Sequence, residues 1–206
     1  YLRTEEVVRK GLVEPLYRGD LNHAHKDYLV RVRGFRDVDQ LQKLWQVEGI
    51  GIAPRLAWRV YIPIIYQGKR VSWTTRSISE DAQQRYLSAS ASEEAINHRH
   101  LLYGLDYVRD SVIVVEGPLD VWNIGPGAVG LFGIDYSAAQ VRQLAEIPNR
   151  LICFDSEPAA VAQATKLAEE LSCFPGHTQL VILEAADPGS ADKKEVAELR
   201  AAAGLD

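Results

Sequence analysis

The chain has 206 residues, 47% of them hydrophobic and 25% charged, which is the balance of a globular protein and excludes a disordered or fibrous one. No apolar run approaches the roughly 20 residues that span a bilayer, and no signal-peptide pattern is present, so no membrane role and a cytoplasmic location are expected. The net charge of −5 divides unevenly, +3 over residues 1–108 and −8 over residues 109–206, and the two cysteines cannot build a zinc cage alone.

In chain order, Ala24–Arg33 and Val38–Trp45 read as short helices. Trp58–Tyr66 and Val71–Ile78 read as two strands joined by a tight turn at Gln67-Gly68-Lys69. The polar segment Ser79–Asn97 is expected to be a connecting loop, and a boundary is placed near Tyr107. Beyond it the chain alternates. Strand Val112–Val115 is followed by a helix from about Pro118. Strand Ala128–Phe132 precedes a helix near Ser137–Glu146, with Ser137 as N-cap. Strand Leu151–Phe154 leads into helix Pro158–Leu171, where Pro158 suits the first turn. Strand Gln179–Leu183 and helix Asp192–Ala203 complete four β-α pairs. Such alternation predicts a mostly parallel four-stranded sheet with flanking helices, residues 108–206, preceded by a smaller α+β subdomain, residues 1–107.

Two strand ends carry the chemistry. Val112-Ile113-Val114-Val115 runs into Glu116-Gly117, with Asp120 four residues after Glu116. Leu151-Ile152-Cys153-Phe154 runs into Asp155-Ser156-Glu157. Open α/β sheets keep their sites at the carboxyl ends of their strands. Acids gathered on one edge suit a hard divalent cation such as Mg²⁺. An acidic half that gathers metal, beside a basic half that meets phosphates, fits a nucleic-acid enzyme. Asp155 also suits an N-cap for the following helix, a role compatible with ligation. Cys153 reads as a buried thiol. Trp45, Trp58, Trp73 and Trp122 offer faces for stacking on bases, but most fall in apolar patterns and read as core.

Glu116-Gly117-x-x-Asp120, then Asp155-x-Glu157 and Ala159-Ala160, resembles the Toprim domain of primases, topoisomerases and some nucleases. The flanking text narrows this. Tyr61-Ile62-Pro63-Ile64, Trp73-Thr74-Thr75-Arg76, Arg85-Tyr86-Leu87-Ser88, Leu102-Tyr103-Gly104-Leu105-Asp106 and Ala186-Asp187-Pro188-Gly189 follow the order of DnaG-type primase catalytic cores. The resemblance runs from about Tyr28 to Glu198. It implies a Rossmann-like Toprim subdomain and an RNA polymerase that makes primers on single-stranded DNA from nucleoside triphosphates by two-metal transfer. It implies Mg²⁺ or Mn²⁺ on Asp155, Glu157, Asp187 and Asp120. Glu116 becomes the general base or a further ligand. Arg76, Arg85, Arg99 and Ser88 become nucleotide or DNA contacts, with His98 an alternative to Arg99. A replicative helicase is the implied partner.

The departures are Arg85-Tyr86-Leu87-Ser88 for the family's Lys-Tyr-x-Asn, Asp155-x-Glu157 for Asp-x-Asp, and Gly189 where a second acid usually follows Asp-Pro. Asp192 is only a loose substitute for that acid. These variations resemble a phage, plasmid or mobile-element primase more than a housekeeping one. The absence of methionine, position 1 included, is what an excised segment would show. The rival readings are a Toprim nuclease, and a non-catalytic DNA-binding or helicase-loading module.

Overall fold

The computed structural model describes residues 11–79 and 81–205; residues 1–10 and 80, within the expected 1–107 subdomain, and residue 206 lie outside it. The amino half contains β1 (Arg18–Gly19), α1 (His23–Asp27), α2 (Val38–Trp45), β2 (Glu48–Ile50), β3 (Arg59–Tyr66), β4 (Lys69–Ser77) and β5 (Tyr86–Ser88). The five strands form one antiparallel sheet in sequence order. Asn22 starts α1 by accepting the backbone N–H groups of Ala24 and His25, and the helix widens into a π-type turn over Tyr28–Val32 before Arg33. Asp37 starts α2 by accepting the Gln40 N–H at 2.8 Å. Its buried Val38, Leu41 and Trp45 recur at helical spacing. The β3–β4 turn places Gln67 and Gly68 at φ 53° and 73°. That pair of left-handed residues matches the twist of a tight hairpin. The Asp106 carboxylate accepts both of their N–H groups, at 2.9 and 2.7 Å.

The carboxyl half contains β6 (Ser111–Val115), α3 (Pro118–Ile124), β7 (Ala128–Gly130), α4 (Ala138–Ala145), β8 (Asn149–Ile152), α5 (Pro158–Ser172), β9 (His177–Leu180) and α6 (Lys193–Ala202). The four strands form a fully parallel sheet in the order β7-β6-β8-β9, as the alternation of strands and helices predicts. Both faces of this sheet are covered, so β6 reads as an unbroken apolar run. Ile113 and Val115 pack toward α3, α6 and Val60, Ile62 and Ile64 of β3, so the two sheets share a core. Val112 and Val114 pack toward α4 and α5. Among the described residues no helix is long and apolar enough to cross a membrane.

Three expectations are corrected. Ser79–Asn97 is not wholly a loop, because Tyr86–Ser88 pairs with the free edge of β4. Backbone pairing needs no apolar residues, so composition hides it. The last strand is His177–Leu180 and not Gln179–Leu183. Val181 makes a last bond to the Ile152 carbonyl at 2.9 Å, and Val181 and Leu183 pack against the core while Ile182 is exposed. β1 and β2 carry no alternating pattern and were not predicted. Cys153 is buried, as expected. Trp45, Trp73 and Trp122 are buried while Trp58 is 43% exposed.

Candidate active site

The carboxyl ends of β6 and β8 lie side by side, which brings their acids together. Glu116 follows β6 directly, and its Oε1 accepts the backbone N–H of Asp155 at 3.1 Å. Asp120 lies in the first turn of α3, where its Oδ2 accepts the Gly117 N–H at 2.8 Å. The loop after β9 is stapled to this edge from two sides. The Ser156 N–H donates to the Ala186 carbonyl at 2.9 Å. The Asn123 side chain donates to the carbonyls of Pro188 and Ala191 at 2.8 and 2.9 Å. Those bonds bring Asp187 to Asp120. A Cβ built on Gly189 would stand 2.6 Å from Asp120 Oδ1 and 3.0 Å from Asp187 Oδ1, so both carboxylates face the small space that this glycine leaves open.

One pocket of about 320 Å³ collects these groups. Glu116, Asp120, Asp155 and Asp187 line it on the side of the parallel sheet, and Arg76, Arg85, Tyr86, Ser88 and Thr74 line it from β4, β5 and the residue before β5. Arg33 lines it among the acids, its guanidinium 3.6 Å from the same position beside Gly189. Arg76 is held in place: its Nε donates to the Tyr28 hydroxyl at 3.1 Å, and its guanidinium lies 4.9 Å above the Tyr86 ring. Arg85 is exposed, and among the described residues its guanidinium has no hydrogen bond or ion pair. Ser88 Oγ donates to Thr74 Oγ1 at 2.9 Å.

Two expected site residues stand apart. Glu157 is exposed and does not line the pocket, although its charge is felt by Glu116 and Asp155. Arg99 donates to the carbonyls of Phe132 and Asp135 at 2.8 and 3.0 Å, which pins the segment after β7. His98, the alternative to Arg99, lines the pocket instead. Asp192 caps α6 by accepting the N–H groups of Lys194 and Glu195, far from the role of a third acid. Sequence reasoning missed Arg33 and Asn123, which no motif marks, and Glu94 behind His98, which only tertiary contact reveals.

The acid wall is electrostatically crowded. Burial, then the Asp155 charge, pushes Glu116 up to about 7. Burial also pushes Asp120 up to about 7, against the Gly117 N–H and with the charges of Asp155, Asp187 and Glu116. Asp155 rises to about 6 through burial and the charges of Asp187 and Glu157. A cation among these oxygens would relieve all three. Among the described residues no group of three or more acids, imidazoles or thiols is placed to hold a metal ion together. Mg²⁺ keeps several waters and shares substrate phosphates, so one or two carboxylates suffice. The all-oxygen donor set on the acid wall therefore fits such an ion.

No family profile matches the chain. No curated protein sequence matches it. Solved structures do. The Aquifex aeolicus primase, comprising zinc-binding and RNA polymerase domains, superposes with a TM-score of 0.74 at 19% identity over 89% of this chain and 56% of that one. The fold is that of a primase catalytic core. The DnaG catalytic core superposes with a TM-score of 0.61 at 21% identity over 84% of this chain and 62% of its own length. The primase fragment of the bacteriophage T7 primase-helicase protein superposes at 0.61 and 14% identity, over 92% and 81%. The chain thus spans less than two thirds of the first two structures.

Proposed function

We propose that this chain is the catalytic core of a DNA primase, a nucleotidyltransferase that makes short RNA primers for replication on single-stranded DNA. One observation carries the reading: four acids and the arginines Arg76 and Arg85 face each other across a single pocket at the carboxyl edge of a parallel sheet. The likeness of fold to primase cores supports it. In this reading residues 1–107 are the amino-terminal core subdomain and residues 108–206 a Toprim subdomain, in a primase of phage, plasmid or mobile-element type. The working place is the cytoplasm, and a replicative helicase is the candidate protein partner.

A 3′-hydroxyl attacks the α-phosphate of a nucleoside triphosphate, and pyrophosphate leaves. Asp155, Asp187 and Asp120 would hold Mg²⁺ or Mn²⁺, with Glu157 at the rim. When bound, two such ions would activate the hydroxyl and neutralise charge on the phosphates. Glu116, at the end of β6 and bonded to the Asp155 N–H, suits a general base. Arg76 and Arg85 would grip phosphate oxygens through their forked donors, and Ser88 adds a hydroxyl on the same wall.

The test is incubation with single-stranded DNA, labelled nucleoside triphosphates and Mn²⁺, beside a Glu116→Gln, Asp155→Ala double variant. New oligoribonucleotides that disappear in the variant are expected. Shortened template without synthesis would replace this reading with a nuclease. No Mn²⁺ site at all would leave only a DNA-binding module.

A further inference from the structure

A buried carboxylate stands behind the third side of the pocket. Glu94 is 3% exposed, and its Oε2 accepts the Ser72 hydroxyl at 2.9 Å and the His98 backbone N–H at 3.0 Å. The same oxygen lies 3.0 Å from His98 Nδ1. An ionised carboxylate only accepts, so Nδ1 carries the proton in this contact. The Phe132 ring stands edge-on to the imidazole at 5.4 Å and 89°. Nε2 has no partner among the described residues and is not among the buried unsatisfied atoms, and the residue lines the pocket. A carboxylate that fixes one ring nitrogen so that the other faces a reaction is the arrangement of an oriented proton carrier.

The chemistry of the pocket leaves one place for such a group. Arg33, Arg76 and Arg85 cannot give up a proton near neutral pH. The Tyr86 phenol keeps its proton near neutral pH and is a poor acid there. The four carboxylates belong to the opposite wall.

We propose that His98 is a catalytic residue that protonates the departing pyrophosphate, with Glu94 as its positioning residue. This rests on the primase reading. The bond from the 3′-oxygen to the α-phosphorus forms as the bond from that phosphorus to its bridging oxygen breaks. The bridging oxygen leaves with the electron pair and takes the proton from Nε2 of the doubly protonated ring. The hydroxyl proton goes to Glu116, and the neutral ring regains its proton from water.

The test compares the 206-residue chain with its His98→Gln variant. Binding of nucleoside triphosphate with Mn²⁺ and single-turnover synthesis on single-stranded DNA are measured, with thermal melting to check folding. Glutamine keeps a hydrogen-bond donor but cannot deliver a proton. The expected result is unchanged nucleotide affinity and synthesis slowed about 10²-fold. The defect should also shrink when the leaving group is made less basic, with β,γ-difluoromethylene in place of β,γ-methylene triphosphates. Wild-type speed, loss of nucleotide binding in step with rate, or an equal defect with both leaving groups would each overturn the assignment. If the wild-type chain makes no product, the primase reading itself fails and the inference goes with it. Glu94→Gln should show the same leaving-group dependence with a smaller rate loss.

Discussion

The two walls of the pocket are built in opposite ways. The acid wall is made of strand ends, helix starts and loops, with Glu116 after β6, Asp155 after β8 and Asp120 in the first turn of α3. Its groups repel one another and sit above their usual titration range. The basic wall is made mostly of paired strands, with Arg76 near the end of β4 opposite Tyr86 and Ser88 at the end of β5 opposite Thr74. There Arg76 is fixed by Tyr28 and Tyr86 before any ligand arrives. One wall therefore stores electrostatic strain that a cation relieves, while the other is pre-shaped for an anion. The difference separates the effects expected of changes on each side.

The largest effect should come from the acid wall. Glu116→Gln should slow primer synthesis by about 10²- to 10⁴-fold while leaving DNA binding intact, the range for loss of a general base; single-turnover rates beside a DNA-binding titration check this. Loss of binding in parallel would place Glu116 in a different role. Next is the staple. Asn123→Ala frees the Asp187 loop and should weaken Mn²⁺ binding about 10- to 100-fold, the usual cost of losing a group that orients ligands. Calorimetric titration with Mn²⁺ reads it directly.

On the basic wall, Arg85→Ala should weaken nucleotide or DNA binding about tenfold and leave Mn²⁺ affinity unchanged. The slope of binding against salt should flatten by about one if the contact is to a template phosphate, and stay constant if the nucleotide is the ligand. An equal loss of Mn²⁺ affinity would erase the division between walls.

The smallest effect concerns stability without metal. Glu116 and Asp120 at about 7 and Asp155 at about 6 lie above their unfolded values near ~4, so the folded chain holds extra protons in between. These groups then cost nothing below about pH 4, and their penalty grows until about pH 7. Stability without metal should fall as pH rises through that window, and Mn²⁺ should remove most of the slope. Asp120→Asn keeps the acceptor for the Gly117 N–H and sheds a charge. At pH 8 without metal it should melt about 2 to 4 °C higher, the response of a chain this size to about 1 kcal/mol. A lower melting temperature would show that the carboxylate is stabilising there.

The same division explains what the sequence made visible. Strand-end acids announce themselves, because an apolar run that stops at Glu116 or Asp155 has few other readings. The parallel sheet is equally plain, since both faces of β6 and β8 are buried and the runs are unbroken. Arg76, Arg85 and Ser88 became visible only through resemblance to a family, because a basic residue in a polar strand has no local mark. β5 was hidden for the same reason. Gly189 looked like a lost ligand; in the fold it is the opening that lets Asp120 and Asp187 approach. Arg33, Asn123 and the Glu94 carboxylate behind His98 depend on contacts between segments distant in the chain, which no local pattern encodes.

The acid wall is expected to hold a divalent cation independently of Arg76 and Arg85. Mn²⁺ binding, followed by the loss of the free-ion signal in electron paramagnetic resonance, tests it on the wild-type chain, Asp155→Ala and Arg85→Ala. Specific binding is expected in the wild type, retained in Arg85→Ala and lost in Asp155→Ala. Binding that survives Asp155→Ala, or none in the wild type, would contradict it.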